Sequence, residues 1–492
     1  MAIANQVRKG FYLDSVALMR IQRALTALPG VEEAGLMIGT PANKQIMRDA
    51  RVLADAGEAA GPGDLVIGVR AKDAAAAEAA LVDAARQLDA PRGVAGAGAA
   101  WRPRTLRAAQ QQMADASLAL ISVPGDFAIA EARKAINRGL DVMIFSDNVP
   151  LADEVELKRE ARALGRLVMG PDCGTAIIGG VPLAFANVVP RGDIGIIGAS
   201  GTGIQEISCL IARAGRGISH AIGTGGRDLK AEVGGITTLM AIEMLDADPA
   251  TKHIVLVSKP PAPAVAKAVL ARIGKSAKPY TVCFLGGDGA GMPGNATFAL
   301  LLDDAARLAV GRPISRSKGW REPLKARKGL VRGLFSGGSL CAEAQVVFRN
   351  AGVAAASNAA IPGVSAFDKS WTGHTLLDLG EDEFTRGKPH PMIEPSVRDV
   401  WLHEARKHPD TAVVLIDVVL GYGGHADPAG HLARALKLSD RDAYIVASVT
   451  GTDGDPQGFA GQVRILEDAG VLVAESNAAA ARIALDLIKT TD

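Results

Sequence analysis

The sequence predicts an α/β fold with parallel sheets, and three observations support this prediction. Short apolar segments of strand length alternate with longer segments whose apolar residues recur at helical spacing. The 56 glycines and the low aromatic content of 4% are typical of a packed α/β protein that is rich in small residues and turns. The second half of the chain repeats one order of strand, glycine turn and helix. A chain of 492 residues has room for about three domains.

Charge and cysteine content exclude several classes of protein. Lys and Arg total 54 and Asp and Glu total 53, so the net charge of +1 provides no positive field for nucleic acid. The first residues contain no uninterrupted apolar stretch of signal-peptide length, and no run reaches the ~18 apolar residues that a membrane helix needs. We expect a cytoplasmic protein without nucleic-acid, membrane or metal partners. Four cysteines match neither zinc-ligand pairs nor a disulfide framework, namely Cys173, Cys209, Cys283 and Cys341.

The first part of the chain predicts two α/β segments. Residues 1–90 alternate strands and helices over the length of a small N-terminal α/β domain, and a Gly, Ala and Pro-rich linker follows. Residues 105–188 have the order of parallel βαβ units. A polar turn near the end of that segment carries Asp172 and Cys173, which we predict as cofactor-binding residues because such sheets bind ligands at their carboxyl edge. A buried, inert role for Cys173 is the alternative, since no histidine lies nearby in sequence.

The rest of the chain predicts a duplication. Residues 189–315 and 328–492 each begin with an apolar strand that runs into a glycine turn and a helix. The turns are Ser200–Gly203 in the first copy and Ser336–Ser339 in the second, and we expect them at matching places in two related domains. A further glycine turn lies at Gly421–Asp427, before another helix.

These glycine turns predict a phosphate site. Free N–H groups and the positive end of a helix attract anions, and several helix starts can converge on one phosphate. The alternative is a tight turn with an ordinary helix cap. No Gly-Lys-Ser/Thr ending is present, so the turns are not nucleotide-binding loops of the Walker type. The candidate phosphate-binding residues are Ser200, Gly201, Thr202, Gly203, Gly337, Gly338, Ser339, Gly423 and Gly424.

Two side chains are predicted as catalytic residues. His425 lies among glycines in the third turn, where it can donate a hydrogen bond to phosphate or transfer a proton near neutral pH. Glu206 lies one turn beyond Thr202 on the same predicted helix and can orient a partner. The alternatives are a solvated loop histidine and a carboxylate that favours the start of a helix.

The combined order of motifs resembles a known family. Residues 115–310 resemble the α subunit of succinyl-CoA synthetase and NDP-forming acyl-CoA synthetases, and residues 328–490 resemble the carboxyl-terminal domain of the β subunit. Their fusion to a small amino-terminal module resembles the FdrA family. The motifs that carry the resemblance are Gly170–Cys173, Gly192–Thr202, Ile222–Gly226, Asp246–Pro249 and Leu420–Gly430.

This resemblance implies a Rossmann-like CoA-binding-type domain at 105–188 and two duplicated flavodoxin-like succinyl-CoA-synthetase-type domains, at 189–315 and 328–492. The synthetases carry a phosphorylated histidine in a Gly-His-Ala-Gly loop, whereas the corresponding stretch Leu285–Gly294 has no histidine. The ATP-grasp domain is also missing, and segment 91–117 lacks the glycine turn that opens the CoA-binding domain. We therefore expect carbamoyl phosphate or phosphate as ligand, with CoA in doubt and no other cofactor.

The family resemblance implies a subunit of an oxamate carbamoyltransferase in allantoin catabolism, which exchanges oxalurate and phosphate for oxamate and carbamoyl phosphate. Its partners would be small acyl phosphate and amide substrates and other subunits, in a homo- or hetero-oligomer. Two alternatives remain open. One is an acyl-CoA ligase subunit that relies on an external nucleotide-binding subunit, and the other is a catalytically silent assembly subunit.

Overall fold

The computed structural model describes residues 1–13, 15–90, 103–313, 325–385, 389–437 and 443–489. Among these residues, none of the helices combines the length and apolar character needed to cross a membrane. The chain divides into two compact units. The first contains Met1–Val142, Ser146–Val149 and Thr385–Pro389, and the second contains Met143–Phe145, Pro150–Phe384 and His390–Asp492.

The first unit begins with a small α/β domain. Its antiparallel sheet has the strand order β1-β3-β2. Helix α4 buries Ala77, Ala80, Leu81 and Ala84 along one face, because these positions share a stripe at helical spacing. The elements are β1 (Ala2–Arg8), α1 (Ser15–Thr26), β2 (Val31–Ile38), α2 (Pro41–Asp49), α3 (Asp55–Glu58), β3 (Leu65–Ala71) and α4 (Ala74–Asp89).

A three-stranded sheet of order β4-β5-β6 follows, and the boundary between the units falls within β5. We predicted one domain over 105–188, but the two strands after this sheet, β7 and β8, belong to the next sheet along the chain. The elements are α5 (Leu106–Gln112), β4 (Leu118–Ile121), α6 (Gly125–Ile136), β5 (Asp141–Ile144), α7 (Leu151–Ala163), β6 (Val168–Met169), β7 (Thr175–Ile178) and β8 (Val181–Ala184).

The first copy of the repeat forms a seven-stranded sheet of order β13-β12-β11-β9-β10-β7-β8. Its strands β9 to β13 are parallel, while β7 pairs antiparallel with both β10 and β8. The elements are β9 (Arg191–Ala199), α8 (Gly201–Arg213), β10 (Ile218–Gly223), α9 (Ile236–Ala247), β11 (His253–Ser258), α10 (Pro263–Ile273), β12 (Tyr280–Phe284), β13 (Ala296–Phe298) and α11 (Leu302–Val310).

The second copy forms a seven-stranded parallel sheet of order β17-β16-β18-β15-β19-β20-β21. Short strands β14 and β22 pair separately. The elements are β14 (Arg327–Lys328), β15 (Leu330–Phe335), α12 (Gly338–Asn350), β16 (Ala355–Ser357), β17 (Ser365–Ala366), β18 (His374–Asp378), α13 (Asp382–Thr385), α14 (Ser396–Lys407), β19 (Thr411–Val419), α15 (Pro428–Leu436), β20 (Tyr444–Thr450), α16 (Phe459–Asp468), β21 (Leu472–Ala474), α17 (Asn477–Asp486) and β22 (Ile488–Lys489).

Both copies place their first long strand, β9 or β15, at the centre of the sheet, followed by a glycine turn and a helix. This confirms the α/β fold and the matching places of the two turns. One apolar cluster contains buried residues of both copies, among them Ile204 and Ile207 on α8 and Leu340 and Ala344 on α12. The two copies therefore share a core, which brings the starts of α8 and α12 together.

Candidate functional site

The start of α8 offers backbone donors. Ser200 caps the helix, since its Oγ accepts from the Gly203 N–H at 3.0 Å. A Cβ on Gly203 would lie only 2.3 Å from that Oγ, which explains the glycine. Among the described residues, none accepts from the N–H groups of Gly201 and Thr202, and the first turn of α8 has no acidic residue. These N–H groups lie at the positive end of the helix.

The start of α12 lies directly against the start of α8. The hydroxyls of Ser200 and Ser339 hydrogen-bond to each other across the two copies. A Cβ on Gly337 would lie 2.9 Å from the methyl carbon of Thr202, so the glycine permits this close approach. The structure thus brings the predicted residues of the first two turns together.

The start of α12 already holds carboxylates of the protein itself. The N–H groups of Ser336 and Gly337 each donate to the buried Asp417 at 2.7 Å. Burial raises the pKa of Asp417, and the guanidinium of Arg398, 3.3 Å away, opposes that rise. The Gly337 N–H therefore already donates to a carboxylate of the protein, and the predicted phosphate-binding role of Gly337 stays a prediction.

The next two residues of α12 lie beside charged and polar groups of the protein. An Asp378 carboxylate oxygen lies 2.5 Å and the Lys259 ammonium nitrogen 3.3 Å from where a Gly338 Cβ would be, so the space beside Gly338 is lined by charged groups of the protein. Burial raises the pKa of Asp378 to about 7, while the ammonium of Lys259 opposes the rise. The hydroxyl of Ser339 is engaged by Ser200. The N–H groups of Gly338 and Ser339 have no acceptor among the described residues, so their phosphate-binding role stays a prediction.

The third turn has donors without acceptors. Gln457 and Ala186 fix its first two residues, since Gly421 N–H donates to the Gln457 side chain at 3.1 Å and Tyr422 N–H donates to the Ala186 carbonyl at 3.0 Å. In the part of the chain that the structure describes, no group accepts from the N–H of Gly423 or Gly424. The two predicted glycines are therefore available donors in this turn, and the Ala426 N–H is a third.

The first and third turns each lie against one of two hydrogen-bonded residues, Thr175 and Phe185. The Thr175 hydroxyl lies 3.3 Å from where a Gly201 Cβ would be, and it donates to the Phe185 carbonyl at 2.8 Å. The Phe185 ring lies 2.6 Å from where a Gly423 Cβ would be. Gly423 also has a φ of 78°, which favours glycine. The hydrogen bond between Thr175 and Phe185 thus links two residues that each lie against one of the turns.

His425 has a defined hydrogen-bonding state. Its backbone N–H donates to the Met392 carbonyl at 2.8 Å, and its Nδ1 accepts from the Asp427 N–H at 3.0 Å. A neutral ring whose Nδ1 accepts carries its proton on Nε2. His425 is therefore a hydrogen-bond donor through Nε2, and that nitrogen has no free lone pair for nucleophilic attack.

Glu206 does not lie at the phosphate site. It is buried, its two carboxylate oxygens accept from the Thr450 hydroxyl at 2.5 Å and from the Asn477 N–H at 3.1 Å, and burial raises its pKa. Because Asn477 is the first residue of α17, Glu206 caps that helix. The buried carboxylate is used in the contact between the copies, and its predicted catalytic role stays a prediction.

Cys173 and Asp172 also differ from the prediction. Cys173 is 2% exposed, its thiol donates to the Gly223 carbonyl at 3.4 Å, and burial raises its pKa to about 12. The thiol therefore cannot contact a cofactor, and the buried, inert alternative is correct. Asp172 is exposed in the adjoining turn, with a φ of 56°. No group of three or more His, Cys, Asp or Glu side chains among the described residues could hold a metal ion.

Sequence reasoning missed Asp417 and Lys259 at the start of α12, and it assigned Asp378 to an acidic run, Asp378–Glu383, interpreted as a solvated loop rather than a magnesium site. Asp417 and Asp378 lie at or near the ends of parallel strands β19 and β18, next to β15 in the sheet. That position at the carboxyl edge was a signal that could have identified both carboxylates.

Family profiles match three segments of the chain. The profile described as CoA-ligase matches residues 334–487, and that described as CoA binding domain matches residues 191–286. The latter lies in the first copy rather than in 105–188, where we placed CoA-binding character. A third profile, described as AllF, heavy metal-associated domain, matches residues 1–102. Residues 1–102 contain no cysteine and no histidine, so the thiolate and imidazole ligands that soft metals prefer are absent there.

Similar proteins agree with the CoA-ligase match. The chain is 29% identical over 148 residues to the succinate-CoA ligase [ADP-forming] subunit alpha of Methanothermobacter thermautotrophicus, which covers 30% of this chain and 49% of that protein. The chain thus spans about half the length of this relative. A solved structure, the apo form of a dinucleotide forming acetyl-coenzyme A synthetase 1 from Ca. Korarchaeum cryptofilum, is 17% identical, covers 75% of this chain and 83% of its own, and has a TM-score of 0.32.

These matches correct the predicted enzyme class. The profiles and relatives are of the CoA-ligase type, so the prediction of a carbamoyltransferase is wrong. The chain is a succinyl-CoA synthetase-like fusion of a CoA-binding and a CoA-ligase segment behind a small N-terminal domain. It is 40% identical over 513 aligned positions to YahF of Escherichia coli K12, covering 99% of both chains. The chain therefore belongs to the same family as YahF.

Proposed function

We propose that this chain is the acyl-transferring subunit of a CoA-ligase-type enzyme and that it binds the phosphate of an acyl phosphate between the start of α8 and the turn Gly421–Asp427. The observation that carries this proposal is a set of four backbone N–H groups without acceptors among the described residues, on two turns that lie against the hydrogen-bonded residues Thr175 and Phe185. Free N–H groups are typical anion donors, and those of Gly201 and Thr202 also lie at the start of a helix.

The two helix starts of the repeat differ in a way that supports this position. Asp417 accepts from the two N–H groups before α12 and Asp378 lies beside Gly338, whereas no carboxylate among the described residues hydrogen-bonds to the N–H groups of Ser200–Gly203. An anionic ligand is therefore favoured at α8 and disfavoured at α12.

The proposed reaction is transfer of an acyl group between phosphate and the thiol of CoA. The thiolate sulfur bonds to the carbonyl carbon, the bond from that carbon to the phosphate oxygen breaks, and phosphate leaves with the electron pair. The N–H donors of Gly201, Thr202, Gly423 and Gly424 stabilise the charge that grows on phosphate, and His425 donates through Nε2. The relatives are named as subunits, and Leu285–Gly294 has no histidine, so a partner subunit supplies any nucleotide-dependent step.

Substitution of Gly201 tests the backbone donor directly. Gly201 is the first residue of α8, where proline fits a helix but has no N–H. Gly201→Pro is expected to weaken phosphate binding at least tenfold, the effect of losing one hydrogen bond to a charged group. The matched control is Gly201→Ala, which adds a Cβ but keeps the N–H and should bind like wild type. Isothermal titration with inorganic phosphate measures both.

Activity is tested with acetyl phosphate and CoA as probes, by thioester formation with and without nucleotide. Gly201→Pro and His425→Ala should each lower turnover by ~10²-fold or more. If phosphate binds and Gly201→Pro abolishes binding but no thioester forms, the anion site stands and the CoA-ligase reaction is wrong. Equal phosphate binding by the proline and alanine variants would contradict the site itself.

A further inference from the structure

Two polar side chains on neighbouring helices are linked to His425. One packs against its ring and the other hydrogen-bonds to the first. His431 is on α15, and its Nε2 donates to both oxygens of Asp399 on α14, at 2.9 Å and 3.1 Å. The rings of His431 and His425 meet edge to face, with centroids 5.9 Å apart and an interplanar angle of 72°. The three residues therefore form a row, Asp399, His431 and His425.

Each member of the row is held by a separate contact. The carboxylate of Asp399 fixes the orientation of the His431 ring, whose side chain is only 14% exposed. The His431 ring in turn fixes the plane of the His425 ring. The Asp427 N–H then selects which nitrogen of His425 accepts, because a flipped ring would place a carbon opposite that N–H.

We propose that Asp399 and His431 are positioning residues for His425, which hold its imidazole in one orientation with the proton on Nε2. The purpose of that orientation, a fixed hydrogen bond to phosphate, rests on the proposed function. The orientation itself does not depend on it. An ordinary ion pair between α14 and α15 would stabilise the fold without affecting the state of the His425 ring, which separates the two roles.

The sequence around the row agrees with this proposal. Asp427 is both the N-cap of α15, accepting from Gly430 N–H at 3.0 Å, and the donor to His425 Nδ1. His431 lies on the first turn of the same helix. Helix α15 and its N-cap therefore provide two groups that contact the His425 ring, the backbone N–H of Asp427 and the side chain of His431.

Nitrogen NMR of the ligand-free full chain, labelled with ¹⁵N histidine, tests the positioning role without any activity. The His425 signals, assigned with His425→Asn, should show an unprotonated Nδ1 and a protonated Nε2 in wild type. His431→Ala should give a mixture of tautomers, and Asp399→Asn a smaller change in the same direction. The control His408→Ala, a surface histidine on the same copy, should leave the His425 signals unchanged. Unchanged His425 signals in both folded variants would overturn the proposal.

Turnover of acetyl phosphate with CoA provides the second readout. His431→Ala should lower kcat about tenfold with little change in the KM for acetyl phosphate, the effect expected of misorientation. Asp399→Asn combined with His431→Ala should be no slower than His431→Ala alone, because Asp399 acts through His431. Additive losses of kcat in the double variant would contradict the proposal that Asp399 acts through His431. A tautomer change in the NMR without any wild-type turnover would leave the positioning role intact and reject the proposed function.

Discussion

The two copies of the repeat share a fold but stabilise their first helices differently. In the first copy a side chain caps α8, since Ser200 accepts from Gly203 N–H. In the second copy Gly337 has no side chain to cap α12, and the buried Asp417 accepts from the turn instead. Asp417 takes up the N–H groups of Ser336 and Gly337, which precede α12. The first-turn N–H groups of Gly338 and Ser339 have no acceptor among the described residues, as in the first turn of α8. The two helix starts thus differ in the groups beside them, a serine hydroxyl at α8 and a buried carboxylate at α12.

The copies remain equivalent where they contact each other. Glu206 on α8 accepts from the first N–H of α17, and Glu343 on α12 accepts from the first N–H of α11, Leu302, at 2.6 Å. Each copy therefore caps the last helix of the other. Asn477 joins the two carboxylates, because its side chain also donates to Glu343 at 2.7 Å. The two copies are alike in their buried contact and differ at the carboxyl edges of their sheets, where such folds bind ligands.

Removing Asp417 should give the largest loss of stability. Asp417→Ala leaves two N–H groups without an acceptor and the buried guanidinium of Arg398 without its carboxylate. We expect a loss of about 3–5 kcal/mol in the free energy of unfolding, as for other broken buried ion pairs. Urea denaturation measures this change. Asp410→Ala, which removes a carboxylate that is 67% exposed, is the control and should cost little. A loss below about 1 kcal/mol for Asp417→Ala would contradict a stabilising role of Asp417 at the start of α12.

Much of this comparison follows from sequence, and the rest depends on distant contacts. The turns at Ser200 and Gly337 were predictable because glycine turns after apolar strands have a local pattern. A glutamate also recurs at the same distance from each cap residue, as Glu206 and Glu343, which is a local signal for a repeated role. Its acceptor role was not predictable, because Asn477 and Leu302 come from the opposite copy. Asp417 likewise meets Gly337 only through the register of β15 and β19.

The free energy of unfolding should depend on pH differently in wild type and in a variant of Asp378, the carboxylate beside the start of α12. Burial raises the pKa of Asp378 to about 7, whereas an unfolded aspartate has a pKa near 3.9. The native state therefore binds more protons than the unfolded state between these values, so this group lowers stability as pH rises through that window. Asp378→Asn, which cannot ionise, should lose less stability than wild type between pH 4 and pH 7. Parallel urea titrations across this range measure the difference. Identical slopes of unfolding free energy against pH in wild type and Asp378→Asn would show that the pKa of Asp378 is not raised in the native state.

The Ser200 cap should give the smallest effect. Ser200→Ala removes the acceptor for Gly203 N–H and the hydroxyl bond to Ser339, and loss of an N-cap side chain costs about 1 kcal/mol. Ser339→Ala is the matched control, because it removes only the shared hydroxyl bond and leaves the cap in place. Urea midpoints should therefore fall further for Ser200→Ala than for Ser339→Ala. If the two variants are equally unstable, the hydroxyl contact between Ser200 and Ser339, rather than the cap, stabilises α8. The start of α8 would then depend on a residue of the second copy.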